Sequence, residues 1–309
     1  MKIRNIIISM ILLTAPISVF GQSRAVPMLE INPDARATAM GGNQYGEAQT
    51  MMIYSNPTSI LYNEDVWSFS ASTQIYPSAD EVGRLMFYGA SASHRFGIHG
   101  VHIGFRYLGG YSIPMDGGKD LKPADWSVDI AYSLRLFDHF SASVGASFIR
   151  SKVFKEASTV AFNVAAYYRN NFNMGINADY VIGINAANMG PDLDYGKKYK
   201  KTKLPANFGG GGELGLNFSE KNKLNISLAG QYYYLPEKAK LFTGNVGAEY
   251  TYAKMISLRA GYSYAQHDYS HFAFGAGFSY RIFRLGLTHQ RGLGGNDVNV
   301  TLLSLGANF

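Results

Sequence analysis

The sequence predicts an all-β protein, a fourteen-stranded antiparallel transmembrane barrel with a small N-terminal hatch of short helices. Three observations predict it. Charged residues make up only 16% of the 309 residues, while 34 are glycine, 22 tyrosine and 19 phenylalanine. After Gln22 no run of eighteen apolar residues exists, so a membrane-embedded chain must satisfy its backbone polar groups as a closed barrel. From Val66 onward, segment after segment alternates apolar and polar side chains with the period of two that puts them on opposite faces of a strand. A composition 47% hydrophobic excludes disorder, and the absence of cysteine excludes disulfides and thiolate metal sites. The formal charge of +6 is too small to argue for nucleic acid.

The chain opens with the pattern of a secretory leader. Lys2 and Arg4 precede an apolar stretch from Ile6 to Phe20, and Val19 and Gly21 are compact enough for cleavage before Gln22. Residues 1–21 are therefore expected to be removed on export.

Residues 22–65 lack long alternation, and Pro27, Pro33, Gly41, Gly42 and Pro57 break them into short pieces. Asp34 can cap two helical turns that Gly41 ends, and Ser55 to Leu61 can open another short helix, with Pro57 near its first turn. The expected place for this compact hatch is the periplasmic mouth of the barrel.

Residues 66–309 divide into fourteen segments: 66–76, 84–94, 97–107, 126–137, 140–150, 159–169, 174–185, 206–218, 223–234, 242–253, 256–266, 271–281, 283–290 and 297–309. Each runs 8 to 13 residues, against the about 9–11 that a tilted membrane-spanning strand needs. Every odd-numbered connection is at least as long as its even-numbered neighbours, the asymmetry of extracellular loops against periplasmic turns. Aromatics gather near segment ends (Trp67, Tyr76, Trp126, Phe137, Tyr168, Tyr232, Tyr234, Tyr250, Tyr252), as interface girdles require. The last segment ends on Phe309, similar to the terminal aromatic of outer-membrane barrels.

The same parity turns Arg106, Asp129, Arg135, Glu249 and Arg259 inward, since a cation facing lipid at mid-depth costs about 2–4 kcal/mol. Glu249 and Arg259 lie opposite each other across a turn and are expected to form a lumenal ion pair. Gly209 to Gly212 fall in the opening of a strand segment, not before a helix, so they form no phosphate loop; they favour curvature or close approach of the hatch. His99 and His102 point to opposite faces and cannot share a metal. No serine, histidine and carboxylate stand at readable spacing for hydrolysis, and no metal site or cofactor is expected. The connection 186–205 carries Tyr195, Lys197, Lys198, Tyr199, Lys200, Lys201 and Lys203, a candidate contact for lipopolysaccharide phosphates or an acidic partner. The connection 108–125 is the second candidate partner surface.

Particular motifs carry a resemblance. Pro33-Asp-Ala-Arg-Ala-Thr-Ala-Met-Gly-Gly42 with Tyr54-Ser-Asn-Pro57 resembles the N-terminal signature of the PorV/PorQ family, relatives of the FadL fatty-acid transporters. Leu121-Lys-Pro-Ala-Asp-Trp-Ser-Val-Asp-Ile-Ala-Tyr-Ser133, Asn188-Met-Gly-Pro191, Gly247-Ala-Glu-Tyr250 and Leu258-Arg-Ala-Gly-Tyr262 resemble PorV in particular. The resemblance implies a fourteen-stranded barrel whose hatch includes Asp34, Arg36, Met40, Gly41, Gly42, Asn56 and Pro57. It also implies a non-enzymatic role in type IX secretion, in the outer membrane of a Gram-negative bacterium of the Bacteroidetes. Its partners there would be a large translocon barrel and secreted cargo, within outer-membrane lipid and lipopolysaccharide. The loops are shorter than in typical members, and Gly41-Gly42 stands where PorV often has Gly-Asp. The rival reading is a FadL-like transporter of a hydrophobic small molecule, which would need a greasy pocket beside the hatch and a lateral break in the wall.

Overall fold

The computed structural model describes residues 25–115, 118–173, 175–199, 201–266, 269–293 and 299–309. The expected leader and Lys200 lie outside the described residues. Fourteen antiparallel strands close into one barrel. They are β1 Trp67–Ala79, β2 Gly83–Phe96, β3 His99–Tyr111, β4 Ala124–Phe137, β5 Phe140–Lys152, β6 Glu156–Asn173 and β7 Asn177–Met189. β8 Asn207–Ser219, β9 Asn222–Tyr233, β10 Leu241–Tyr252, β11 Ile256–Ala265, β12 His271–Tyr280, β13 Phe283–Gly292 and β14 Asn299–Asn308 follow. β14 returns to β1, with Asn308 opposite Ser68 and Thr301 opposite Ile75, so no strand edge is left unpaired. No helix among the described residues is long and apolar enough to cross a membrane.

Alternation sorts the side chains as period two demands. On β4, Val128, Ile130 and Tyr132 face outward while Ser127, Asp129 and Ser133 are buried inside. Leu228 on β9 is 69% exposed, which for so apolar a residue makes sense only against lipid.

Two aromatic rings bound this apolar band. At the short-turn end, every even-numbered strand finishes with an outward aromatic: Phe96, Phe137, Phe172, Phe218, Tyr252, Tyr280, and Phe309 just past β14. Tyr88, Phe148, Phe208, Phe242, Tyr264 and Phe272 ring the opposite end. Phe242 and Tyr252 stand at the two ends of β10, about 33 Å apart along the strand. Tilted by about 40°, that spans close to the 25 Å of a barrel's apolar band. Tyr76 departs from the girdle expected of it: its even parity on β1 turns it into the lumen, where it is buried.

The turns after the even-numbered strands hold two or three residues each, against twelve between β3 and β4 and seventeen between β7 and β8. Two connections read as loops from the sequence, 77–83 and 151–158, are mostly continued hairpins. β1 runs on to Ala79 and β5 to Lys152, beyond the outer aromatics. Above the lipid both faces of a strand meet water, so the alternation fades although backbone pairing continues.

The N-terminal residues fill the barrel. Helix α1, Ala35–Ala39, is flanked by short 3-10 turns at Pro27–Glu30, Met52–Tyr54 and Pro57–Leu61. This segment is not confined to the periplasmic mouth. Met52, Ile60 and Leu61 pack at the short-turn end, where Ile60 approaches Gly100 at the start of β3. Val26, Met28 and Leu29 lie instead at the long-loop end, against Phe87, Tyr111, Ile149, Leu193 and Leu204. The inner wall between is polar, so these apolar side chains find apolar partners only beneath the folded-in loops. Each long loop closes a small bridge, Ile113 with Leu121 and Leu193 with Thr202, and turns its apolar side chains down onto the segment.

Candidate functional site: a filled lumen and its outer loops

The Asp34 carboxylate caps α1, accepting from the backbone N–H of Arg36 at 2.6 Å and of Ala37 at 3.0 Å. Burial pushes its carboxyl up, against those donors and the nearby Arg36 charge. Gly41 ends the helix at φ +79°, and a Cβ there would stand 2.7 Å from the Tyr262 carbonyl oxygen and 2.8 Å from that of Val246. The segment thus presses its backbone on β10 and β11, with Met40 buried between. Asn56 repeats the capping device, accepting from Thr58 N at 3.0 Å and donating to the Gly46 carbonyl at 3.1 Å. Pro57 follows at the first turn, where its missing N–H costs nothing.

Capping α1 aims Arg36 at the wall. Its Nε and Nη2 donate to Glu249 Oε1 at 2.9 and 2.7 Å, Nη2 also reaches Glu213 at 2.9 Å, and Nη1 donates to the Glu47 carbonyl at 2.7 Å. Glu249 and Arg259 are register partners on β10 and β11, and Arg259 Nε lies 2.5 Å from Glu249 Oε2. Asn225 of β9 donates to the same carboxylate at 2.8 Å. Two guanidinium groups, two carboxylates and the Asn225 amide thus tie α1 to four consecutive strands, β8 to β11. Burial opposes the Arg36 charge, but Glu213 and Glu249 overcome it and hold the guanidinium more firmly protonated than a free one.

Two further cross-links repeat the theme. Arg106 pairs with Asp129 at 2.8 Å and lies over the Tyr54 ring, whose hydroxyl donates to Asp129 at 2.8 Å. Arg169 pairs with Glu47 at 2.7 Å and stacks on Tyr62, with its guanidinium carbon 3.6 Å from the ring centroid; Arg135 flanks the same ring. Tyr45 donates its hydroxyl to Asn185 at 2.7 Å, and burial pushes that hydroxyl up to about 12. Its ring lies on the Gly209–Gly212 run, where a Cβ on Gly211 would come within 2.7 Å of it.

Among the sequence candidates, the inward charges and the N-terminal residues are brought together. Lys197, Lys198 and Tyr199 remain exposed on the outer loop, and Lys203 is half-buried. Lys201 pairs with Asp194 at 3.3 Å, and Tyr195 turns down to donate to Ser151 Oγ at 2.7 Å. Glu213, Glu47 and Tyr45 were not singled out by sequence, and Tyr54 entered only as the head of the Tyr54–Pro57 motif. Glu213 shares the inward parity of its strand and could have been found that way; Glu47 and Tyr45 sit in irregular backbone without a period to read. Among the described residues, no three His, Asp or Glu side chains cluster to hold a metal.

Two cavities remain beside the segment. One of about 330 Å³ runs from Tyr54 and Asn163 toward His271 and Gly292 at the outer end. The other, about 740 Å³, opens at the short-turn end among Glu47, Arg169, Asp179 and Lys223.

A family model described as type IX secretion system protein PorV matches residues 103–240, from within β3 to the connection before β10. That stretch contains both long outer loops. No curated protein matches the sequence. Among solved structures, the Pseudomonas putida toluene transporter TodX is similar at 13% identity and TM-score 0.59, over 94% of this chain and 98% of that one. The Ralstonia pickettii toluene transporter TbuX gives 11% identity and TM-score 0.61, over 90% and 98%. A Pseudomonas aeruginosa FadL homologue gives 10% and 0.53, over 93% and 99%. At such identities the likeness is one of fold.

Proposed function

From the premise that this chain is a PorV-like outer-membrane barrel, we propose that it serves type IX protein secretion as a non-catalytic docking barrel. The observation that carries this reading is the PorV match over 103–240, which takes in the two longest connections at the outer end of the barrel. In this reading the outer loops, with Tyr195, Tyr199 and their lysines, engage a large translocon barrel or secreted cargo. Lipopolysaccharide phosphates surround them. Residues 22–65 act as a hatch, with Arg36 between Glu213 and Glu249 as its bolt, and keep the lumen shut to free diffusion. The cell would be a member of the Bacteroidetes.

A transporter of hydrophobic small molecules is the rival that shares this fold. The backbone ladder runs unbroken around the barrel, and the lumen is lined chiefly by hydroxyls, amides and paired charges, which favours docking. Deletion of the gene, followed by an assay for export of cargo bearing the secretion C-terminal domain, tests the reading. Loss of export, and recovery of a very large barrel with this one from mild detergent, are expected. Unaffected export, with recovery of a lone barrel carrying bound lipid, would overturn docking in favour of transport.

A further inference from the structure

The 330 Å³ lumen cavity has a lining that neither docking nor hydrocarbon transport uses. Asn163, Asn185, Asn188, Gln231, Thr243 and Asn245 bring polar side chains to it from β6, β7, β9 and β10. Asn185 and Gln231 both oppose Gly209 of β8 in register, and Gln231 opposes Thr243, so these groups form a row across the wall, with the Tyr45 hydroxyl seated over the glycine. Part of their capacity is spent within the protein: Asn163 Oδ1 accepts from Asn188 N at 2.9 Å, and Asn185 Oδ1 accepts from Tyr45. The Asn163 and Asn185 amide nitrogens, the Asn188 side-chain oxygen and the Thr243 hydroxyl bond to no described residue and are not shut away from solvent. Donors and acceptors are therefore both presented to the cavity.

We infer that this cavity is a binding site for a neutral oligosaccharide. Its volume falls at the lower end of ligand sites, about 300–1,000 Å³. A hydrocarbon would strip these amides of water without replacing their hydrogen bonds, a cost of about 1–3 kcal/mol for each group. An anionic ligand finds no free cation among the described residues, since Arg106 on the cavity wall is paired with Asp129 and Glu30 adds a second carboxylate there. An extended peptide would be read by backbone pairing along a strand edge, and the closed barrel offers none. Sugar hydroxyls both donate and accept, as carboxamides do, and sugar C–H faces suit the rings of Tyr54 and Tyr233 that also line the space. Tyr269, Ser270 and Gly292, all partly exposed, carry the cavity to the outer ends of β12 and β13.

This inference rests on the cavity and not on the secretion reading. Saturation-transfer NMR on the detergent-purified barrel tests it, with maltotriose, cellotriose and tri-N-acetylchitotriose at millimolar concentration. Decanoate and triasparagine serve as the apolar and peptide probes. At least one trisaccharide is expected to show transfer, and the double variant Asn163→Leu, Thr243→Val to weaken it by about tenfold. Retention of the folded, heat-modifiable band shows that the variant barrel is intact. Three outcomes would overturn the site: silence from all three sugars, sugar binding undiminished in a folded double variant, or transfer only to decanoate or triasparagine.

Discussion

Arg36 illustrates how much one side chain decides. It is buried, and its partners Glu213 and Glu249 are buried with it. Arg36→Ala would leave Glu213 without its cation while Glu249 kept Arg259. Removing one member of a buried pair costs about 3–5 kcal/mol, so the variant's heat-modifiability midpoint should fall well below that of the parent. Its lumen should also leak, measured as swelling of liposomes in a small-sugar solution. Glu249→Gln should do less to the hatch, because Asn225 and Arg259 remain to hold the amide. Gly41 makes the second test at this scale. Gly41→Ala would force a side chain into left-handed backbone and against two carbonyl oxygens. Expected is a loss of about 1–3 kcal/mol, read from the same midpoint; Gly97→Ala, with positive φ but open space around it, should lose less.

Strand by strand, the outer face is defined by what it excludes. Ile130 sits in the middle of β4 and is 58% exposed, whereas its neighbour Asp129 is buried in the lumen. Ile130→Lys should therefore destabilise the barrel by about 2–4 kcal/mol, measured by urea-dependent folding into lipid vesicles. Ser127→Lys on the lumenal face would instead collide with the Arg106–Asp129 pair. This strand shows what sequence reveals: Trp126 to Leu136 alternate without interruption, so the two faces were legible. Strand ends were less so, because the hairpins at Ala79–Gly83 and Lys152–Glu156 continue in water, where no apolar residue marks a face. The N-terminal segment was legible in the Asp34 cap and in Pro57 at a first turn, whose chemistry is local, but not in the Asn56 cap. Its depth was not, since nothing in Val26, Met28 or Leu29 says that Leu193 and Leu204, far along the chain, would fold inward to meet them. The Glu249–Arg259 geometry follows from strand parity and a short turn; the third member, Arg36, joins through a fold no period encodes.

At the scale of the whole molecule, the barrel separates stability from recognition. The ladder, the two aromatic rings and the buried ion pairs hold it together, while Lys197, Lys198 and Tyr199 touch little. Reversing Lys197, Lys198 and Lys201 to glutamate should thus leave the unfolding midpoint nearly unchanged, within about 0.5 kcal/mol. It should nonetheless reduce recovery of any partner in a pull-down from mild detergent, and more at low salt than at high salt, since exposed charges are screened over about 10 Å at 0.1 M.

Val26 and Met28 lie beneath the outermost loops, yet β1 begins at the opposite end of the cylinder, so the chain descends the full bore before it starts to build the wall. A finished bore, bolted at Arg36 and roofed by Leu193, would give that descending tail no room to be drawn through. The last seam to be sewn, β14 against β1, must accordingly shut around a tail already in place. Assembly would then be wrapping rather than threading, and a bulky graft ahead of Val26 should stall it with the seam unsewn, detectable as an accumulated, protease-sensitive intermediate.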